Sequence, residues 1–186
     1  MPTEFTTTDA GVRRITKVDP HEALDKPNDP NTLRHRTQFL LLSGVNHALF
    51  GKRDAKQYGT TTLAQIEERV VQVGKELGVN IVCAQTDYEG EMCQLIHYSR
   101  CLGGVIMNPG AFAHYSYAMR DAIDACDSPV VEVHISNVYA REEFRHKSVS
   151  APVCAGYICG CGVQGYELGL RVAIERRKER DAAKKA

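Results

Sequence analysis

The sequence carries no surplus of charge: 23 Lys and Arg balance 23 Asp and Glu. That excludes the one-signed field that would hold nucleic acid or an anionic membrane, so any anion site must be local. No run approaches the roughly 20 apolar residues a spanning helix needs. The first residues include Glu4, Asp9, Arg13 and Arg14 with no apolar h-region, so neither membrane insertion nor secretion is indicated. The seven cysteines contain no CxxC pair, which argues against zinc at Cys154, Cys159 and Cys161, where two such pairs would normally converge on one metal. An odd number of cysteines in a chain long enough to bury its own core points to reduced, buried thiols in a cytoplasmic protein. Internal repeats and low-complexity tracts are missing too.

What remains is ordinary globular composition, with 186 residues of which 43% are hydrophobic and 25% charged. Residues 1–37 are polar and turn-rich from Asp19 to Asn31, and are expected to be an N-terminal arm or disordered extension. A single catalytic domain is expected over 38–180, followed by a basic tail at 181–186. The domain opens on Gln38-Phe39-Leu40-Leu41-Leu42, a continuous apolar run suited to a strand buried on both faces. Further strands are expected at Asn80–Ala84, Val105–Met107, Val130–His134 and Gly156–Cys161. Helices are expected from Thr62 to about Leu77, Glu91 to Cys101, Tyr115 to Ala125 and Tyr166 to about Arg180. This alternation predicts an α/β fold: a flavodoxin-like, doubly wound, five-stranded parallel sheet with helices on both faces. Ligands of such sheets bind beyond the carboxyl ends of the strands, so chemistry is sought just after Leu42, Ala84, Met107 and His134.

The stretch Val131-Glu132-Val133-His134 alternates apolar and ionisable residues at one such end. Residues two apart share a face of a strand, so Glu132 and His134 are neighbours, and a carboxylate beside an imidazole makes a general acid or base. A structural ion pair is the bland alternative. After the first strand, Arg53 and Tyr58 lie in a segment punctuated by Gly51 and Gly59, suited to a lid; an arginine beside a phenol stabilises the phenolate, though a packing role for Tyr58 is the commoner one. Asn108 and His114 flank a helix start after the third strand, as polar contacts or as caps. Arg141, Arg145 and His146 add positive charge near that edge. Gly160-Cys161-Gly162-Val163-Gln164-Gly165 spells the dinucleotide fingerprint. Too few residues follow it for a further strand bearing a ribose-binding acid, so it reads as a tight strand-to-helix turn.

Together these stretches resemble the type II 3-dehydroquinate dehydratases over about residues 39–175. The resemblance rests on Ser43-Gly44-Val45-Asn46, Gly51-Lys52-Arg53 with Tyr58-Gly59, Asn108-Pro109-Gly110 with His114, Arg120-Asp121-Ala122, Glu132 to Asn137, Ala140-Arg141-Glu142, Phe144-Arg145-His146 and Gly160 to Tyr166. It implies that Tyr58, activated by Arg53, takes a proton from the carbon next to the ketone of 3-dehydroquinate. Asn46 would hold a water that stabilises the enolate, and His134, oriented by Glu132, would protonate the departing hydroxyl. Asn108, Ser136 and the backbone at Ile135 would bind the substrate carboxylate, His114 and Arg145 the ring hydroxyls. Asp121 would reach the site of an adjacent subunit in a trimer-based dodecamer. No cofactor, metal or Schiff base is implied. The sequence departs from the family pattern at Ser43, Val45, His47-Ala48 and Tyr139. Other readings are the same elimination on an analogue such as amino-dehydroquinate, a non-catalytic flavodoxin-like module for FMN or another anion, and an inactive shell whose N-terminal arm does the work.

Overall fold

Phe39 and Leu41 of the first apolar run turn to one face of a sheet, and Leu40 and Leu42 to the other; all four are buried. The period of two in a strand makes this division automatic, and a helix layer on each face makes an unbroken apolar run the stable choice. The structure, a computed structural model, describes residues 3–18, 36–52 and 58–185.

Seven strands are present among these residues: β1 (Glu4–Thr7), β2 (Arg13–Lys17), β3 (Gln38–Ser43), β4 (Asn80–Gln85), β5 (Gly104–Asn108), β6 (Val130–His134) and β7 (Gly156–Cys159). They form one sheet in the order β1-β2-β4-β3-β5-β6-β7. The last five strands of the chain pair in parallel, and β1 pairs antiparallel with β2. The expected five-stranded, all-parallel sheet is therefore corrected to a seven-stranded, mixed one.

The reason lies in residues 4–17. Expected as arm or extension, they form a hairpin whose second strand joins β4 in parallel through Arg13 and Arg14. Val12 is buried in the core on one face, and Phe5 and Ile15 pack against the core on the other. Arg14 donates Nε–H to Glu67 Oε2 at 2.7 Å. The turn-rich stretch from Asp19 to Asn31 lies outside the described residues.

Among the described residues four α-helices cover the sheet: α1 (Leu63–Glu76), α2 (Glu89–Tyr98), α3 (Tyr117–Asp124) and α4 (Gln164–Ala183). Helix α1 starts on a capping box in which Thr62 accepts from Gln65 N–H and Gln65 returns to the Thr62 N–H. Ile66, Val70 and Val73 of α1 join Tyr166, Leu170 and Ala173 of α4 on the first face, and α2 and α3 cover the second. Residues 181–183 of the expected tail belong to α4, which runs to Ala183, and Asp181 on it accepts from Arg36 at 2.9 Å.

The fingerprint-like glycines make the turn expected of them. Gly160 and Gly162 have φ of 78° and 58°, and a Cβ on Gly165 would stand 3.1 Å from Val133, so α4 starts hard against β6. Gly44 is tighter still: a Cβ there would lie 2.4 Å from the Pro109 carbonyl oxygen, so only glycine lets the loops after β3 and β5 meet.

Candidate active site

Strands β3, β5 and β6 end level with one another, with Ser43 opposite Asn108 and Met107 opposite Glu132. The loops after them therefore converge on a cavity of about 90 Å³, lined among others by Asn46, Tyr58, Asn108, His114, His134, Ile135, Ser136 and Arg145. A wider cleft of about 670 Å³ shares Tyr58, Ile135 and Ser136 with it and runs toward Gly160 and Gly162.

Glu132 and His134 share a face of β6 as their spacing requires, and both are buried. His134 Nε2–H donates to Glu132 Oε1 at 2.7 Å, leaving Nδ1 as the nitrogen able to exchange a proton with a ligand. Glu132 also accepts from Ser148 Oγ at 2.8 Å and Ser150 Oγ at 2.6 Å, with Cys154 Sγ at 3.8 Å. The His114 ring lies stacked 6.2 Å from that of His134. Its Nδ1–H donates to the Lys147 carbonyl at 2.9 Å. Burial pushes the His114 imidazole below its ordinary range, and the His134 and Arg145 charges push the same way. In its neutral form His114 therefore presents Nε2 as an acceptor, suited to a hydroxyl.

Asn46 has φ of 66°, the one positive φ outside glycine among the described residues. Asparagine tolerates that conformation better than most side chains. The loop, which carries valine at 45, is fixed from across the edge: Asp87 accepts from the Asn46 N–H at 2.7 Å and from Gln85 Nε2 at 3.1 Å. His47, buried behind it, stacks on Phe50 at 4.5 Å, and Phe50 meets the Tyr58 ring at 6.1 Å.

Arg53 lies outside the described residues. Asp121 sits on α3 with its side chain 75% exposed, beside Arg120 at 3.2 Å, and does not line the cavity of its own chain. Asn108 does line it, yet its amide already donates to Tyr166 Oη at 2.8 Å and its Oδ1 accepts from the Gly110 N–H at 3.2 Å. One N–H and one lone pair of its carboxamide are thus held by the protein. Arg145 lines the cavity with Nε–H on Glu142 at 2.9 Å.

Sequence reasoning gave Arg141 no role beyond nearby charge. In the structure its Cζ stands 5.5 Å from the Tyr58 ring centroid, and its Nη1 donates to Ser136 Oγ at 3.3 Å. A cation thus stands over the Tyr58 ring. The spacing of Arg141 seven residues past His134 was a visible signal, but only the short 3-10 turns after β6 fold it back over Tyr58.

A family model described as dehydroquinase class II matches residues 37–174. A 3-dehydroquinate dehydratase of Anoxybacillus flavithermus is 50% identical over 139 residues, which cover 74% of this chain and 94% of that protein. One of Pelotomaculum thermopropionicum is 49% identical over 137 residues, 73% of this chain and 95% of the relative. The crystal structure of type II dehydroquinase from Propionibacterium acnes superposes with a TM-score of 0.72 at 41% identity, covering 75% of this chain and 97% of that one. Site geometry, family model and relatives half identical over nearly their whole length agree: this chain belongs to the class II dehydroquinases.

Proposed function

We propose that the chain eliminates water from 3-dehydroquinate to give 3-dehydroshikimate through an enolate, with Tyr58 as base and His134 as acid. The observation that carries this reading is the buried Glu132–His134 pair at 2.7 Å, opening on the same cavity as Tyr58. Tyr58 takes the proton from the carbon beside the ketone, and Arg141, with Arg53, supplies positive charge for the phenolate. The enolate oxygen is stabilised by a water held at Asn46, and its collapse expels the hydroxyl, which leaves as water with the proton from His134. Ser136 and the backbone at Ile135, with Asn108 beneath, receive the substrate carboxylate, and His114 and Arg145 the ring hydroxyls. No step needs a cofactor or metal.

We further read the five strands β3 to β7 as flavodoxin-like, with the β1–β2 hairpin as an addition to them. The exposed Asp121 suits a reach into an adjacent subunit of a trimer-based dodecamer. Seven free cysteines suit the cytoplasm, and no helix among the described residues is long and apolar enough to cross a membrane.

The test is a direct assay. Purified protein mixed with 3-dehydroquinate should develop the ultraviolet absorbance of the conjugated enone without added metal or flavin. A flat trace with folded protein rejects the reading. A higher kcat/KM on the amino analogue would reassign the substrate.

A further inference from the structure

We propose that Ser150 is a positioning residue for the dehydration, pinning the far oxygen of Glu132 so that the near one stays aimed at His134. The proposal rests on the assignment of His134 as the acid.

The Glu132 carboxylate is held at both oxygens. Oε1 accepts from His134 and Ser148, while Oε2 accepts from Ser150 at 2.6 Å and faces the Cys154 thiol at 3.8 Å. A carboxylate held through one oxygen can still turn about its last bond; a strong donor on the other fixes its plane. Ser150 is fully buried, as is Glu132, so no water can take over the donation. Ser148 shares Oε1 with His134, and a thiol is a weak donor, which leaves Ser150 as the strong hold on Oε2.

The segment carrying these serines also sets the other histidine. The Lys147 carbonyl accepts from His114 Nδ1–H, and the Val149 N–H donates to the Ala113 carbonyl at 2.7 Å. Residues 147–150 thus tie the loop after β5 to the carboxylate on β6, and one strap fixes both imidazoles 6.2 Å apart. The titratable groups facing the pair are His114, Tyr157, Cys154 and, beside His134 in the register of β7, Cys159, with Arg145 acting through His114. None of them supplies a second strong donor to Oε2.

The test compares Ser150→Ala, Ser150→Cys and Ser150→Thr in the full-length enzyme, reading kcat and KM from pH 5 to 9, with circular dichroism for folding. The cysteine variant keeps the volume and loses the strong donor; the threonine variant keeps the hydroxyl. The alanine and cysteine variants should lose about ten-fold in kcat with KM within about two-fold. The alkaline limb of their kcat profile, which reports the proton on His134, should move down by about one unit, because a carboxylate free to turn away holds the imidazolium proton less firmly. Ser150→Thr should restore both. Should the alanine variant not fold, the cysteine variant carries the comparison. A folded donor-less variant with wild-type kcat and an unmoved alkaline limb overturns the proposal, as does a threonine variant as impaired as the cysteine one. His134→Ala separates the levels: if it keeps turnover, the acid assignment itself falls, whereas an inactive His134→Ala beside unshifted Ser150 variants rejects only the positioning role.

Discussion

Asn108 donates its side-chain amide to the hydroxyl of Tyr166 at 2.8 Å, joining the carboxyl end of β5 to the first turn of α4 in the buried interior. Burial raises the Tyr166 phenol far above its ordinary range, so the hydroxyl stays neutral and serves as an uncharged anchor. The carboxamide is thereby oriented from beneath before any ligand arrives.

Removing that anchor leaves a buried amide donor unpaired, which costs about 1–3 kcal/mol. Tyr166→Phe should lower the midpoint of chemical unfolding accordingly and raise KM several-fold more than it lowers kcat. A KM equal to wild type would show that Asn108 is positioned without Tyr166.

Tyr58→Phe keeps the ring contact with Phe50 and removes the proton acceptor. It should lose roughly 10²–10⁴-fold in kcat, the range expected for a positioned base, with an unchanged melting temperature. Turnover near that of wild type would remove Tyr58 from the chemistry.

Burial pushes the Glu67 carboxyl above its ordinary value, and the Arg14 hydrogen bond pulls it part of the way back. Because the folded-state value is raised, this contribution to stability is complete below the unfolded value of about 4.3 and is lost as pH rises through the folded one. Arg14→Ala removes the opposing pull and should cost about 1–3 kcal/mol at neutral pH, most of it recovered near pH 4 where the carboxyl is protonated. Urea unfolding of both proteins at the two pH values measures this; an equal loss at both would mean that Arg14 acts through packing alone.

Gly44→Ala would place a methyl against the Pro109 carbonyl, where no flexible side chain can yield. The loops carrying Asn46 and Asn108 must then separate, at a cost of about 1–3 kcal/mol or more, with a fall in kcat/KM larger than the fall in stability alone explains. Thermal unfolding beside steady-state rates checks it. Unchanged kinetics would show the loops to be independent.

Strands β3 to β7 were legible because each is a short apolar run or an alternation closed by a glycine or polar stop, and Val130–His134 was placed to the residue. The hairpin was not. Glu4–Thr7 and Arg13–Lys17 are polar and largely exposed, and their ties to the domain are distant in sequence: pairing with β4 and Arg14 reaching 53 residues along the chain to Glu67. The same holds at the site. Glu132 and His134 are two apart on a strand, so geometry alone pairs them. Their further partners, Ser150 beyond two turns and Tyr166 behind Asn108, come from separations of 18 and 58 residues that no local pattern encodes.

The hairpin also changes how the molecule meets others of its kind. Without β1 and β2, the border of the sheet would be β4, whose Ile81 to Ala84 run is wholly buried and apolar, an inviting template for a stray chain to add a strand. Instead the outermost strand is the four-residue Glu4–Thr7, polar and irregular in register between Glu4 and Phe5, with Lys17 across from Glu4. Short length, bulge and charge are the devices that discourage edge-to-edge aggregation. Those first residues act as a selvedge that keeps the β-sheet from fraying into its neighbours.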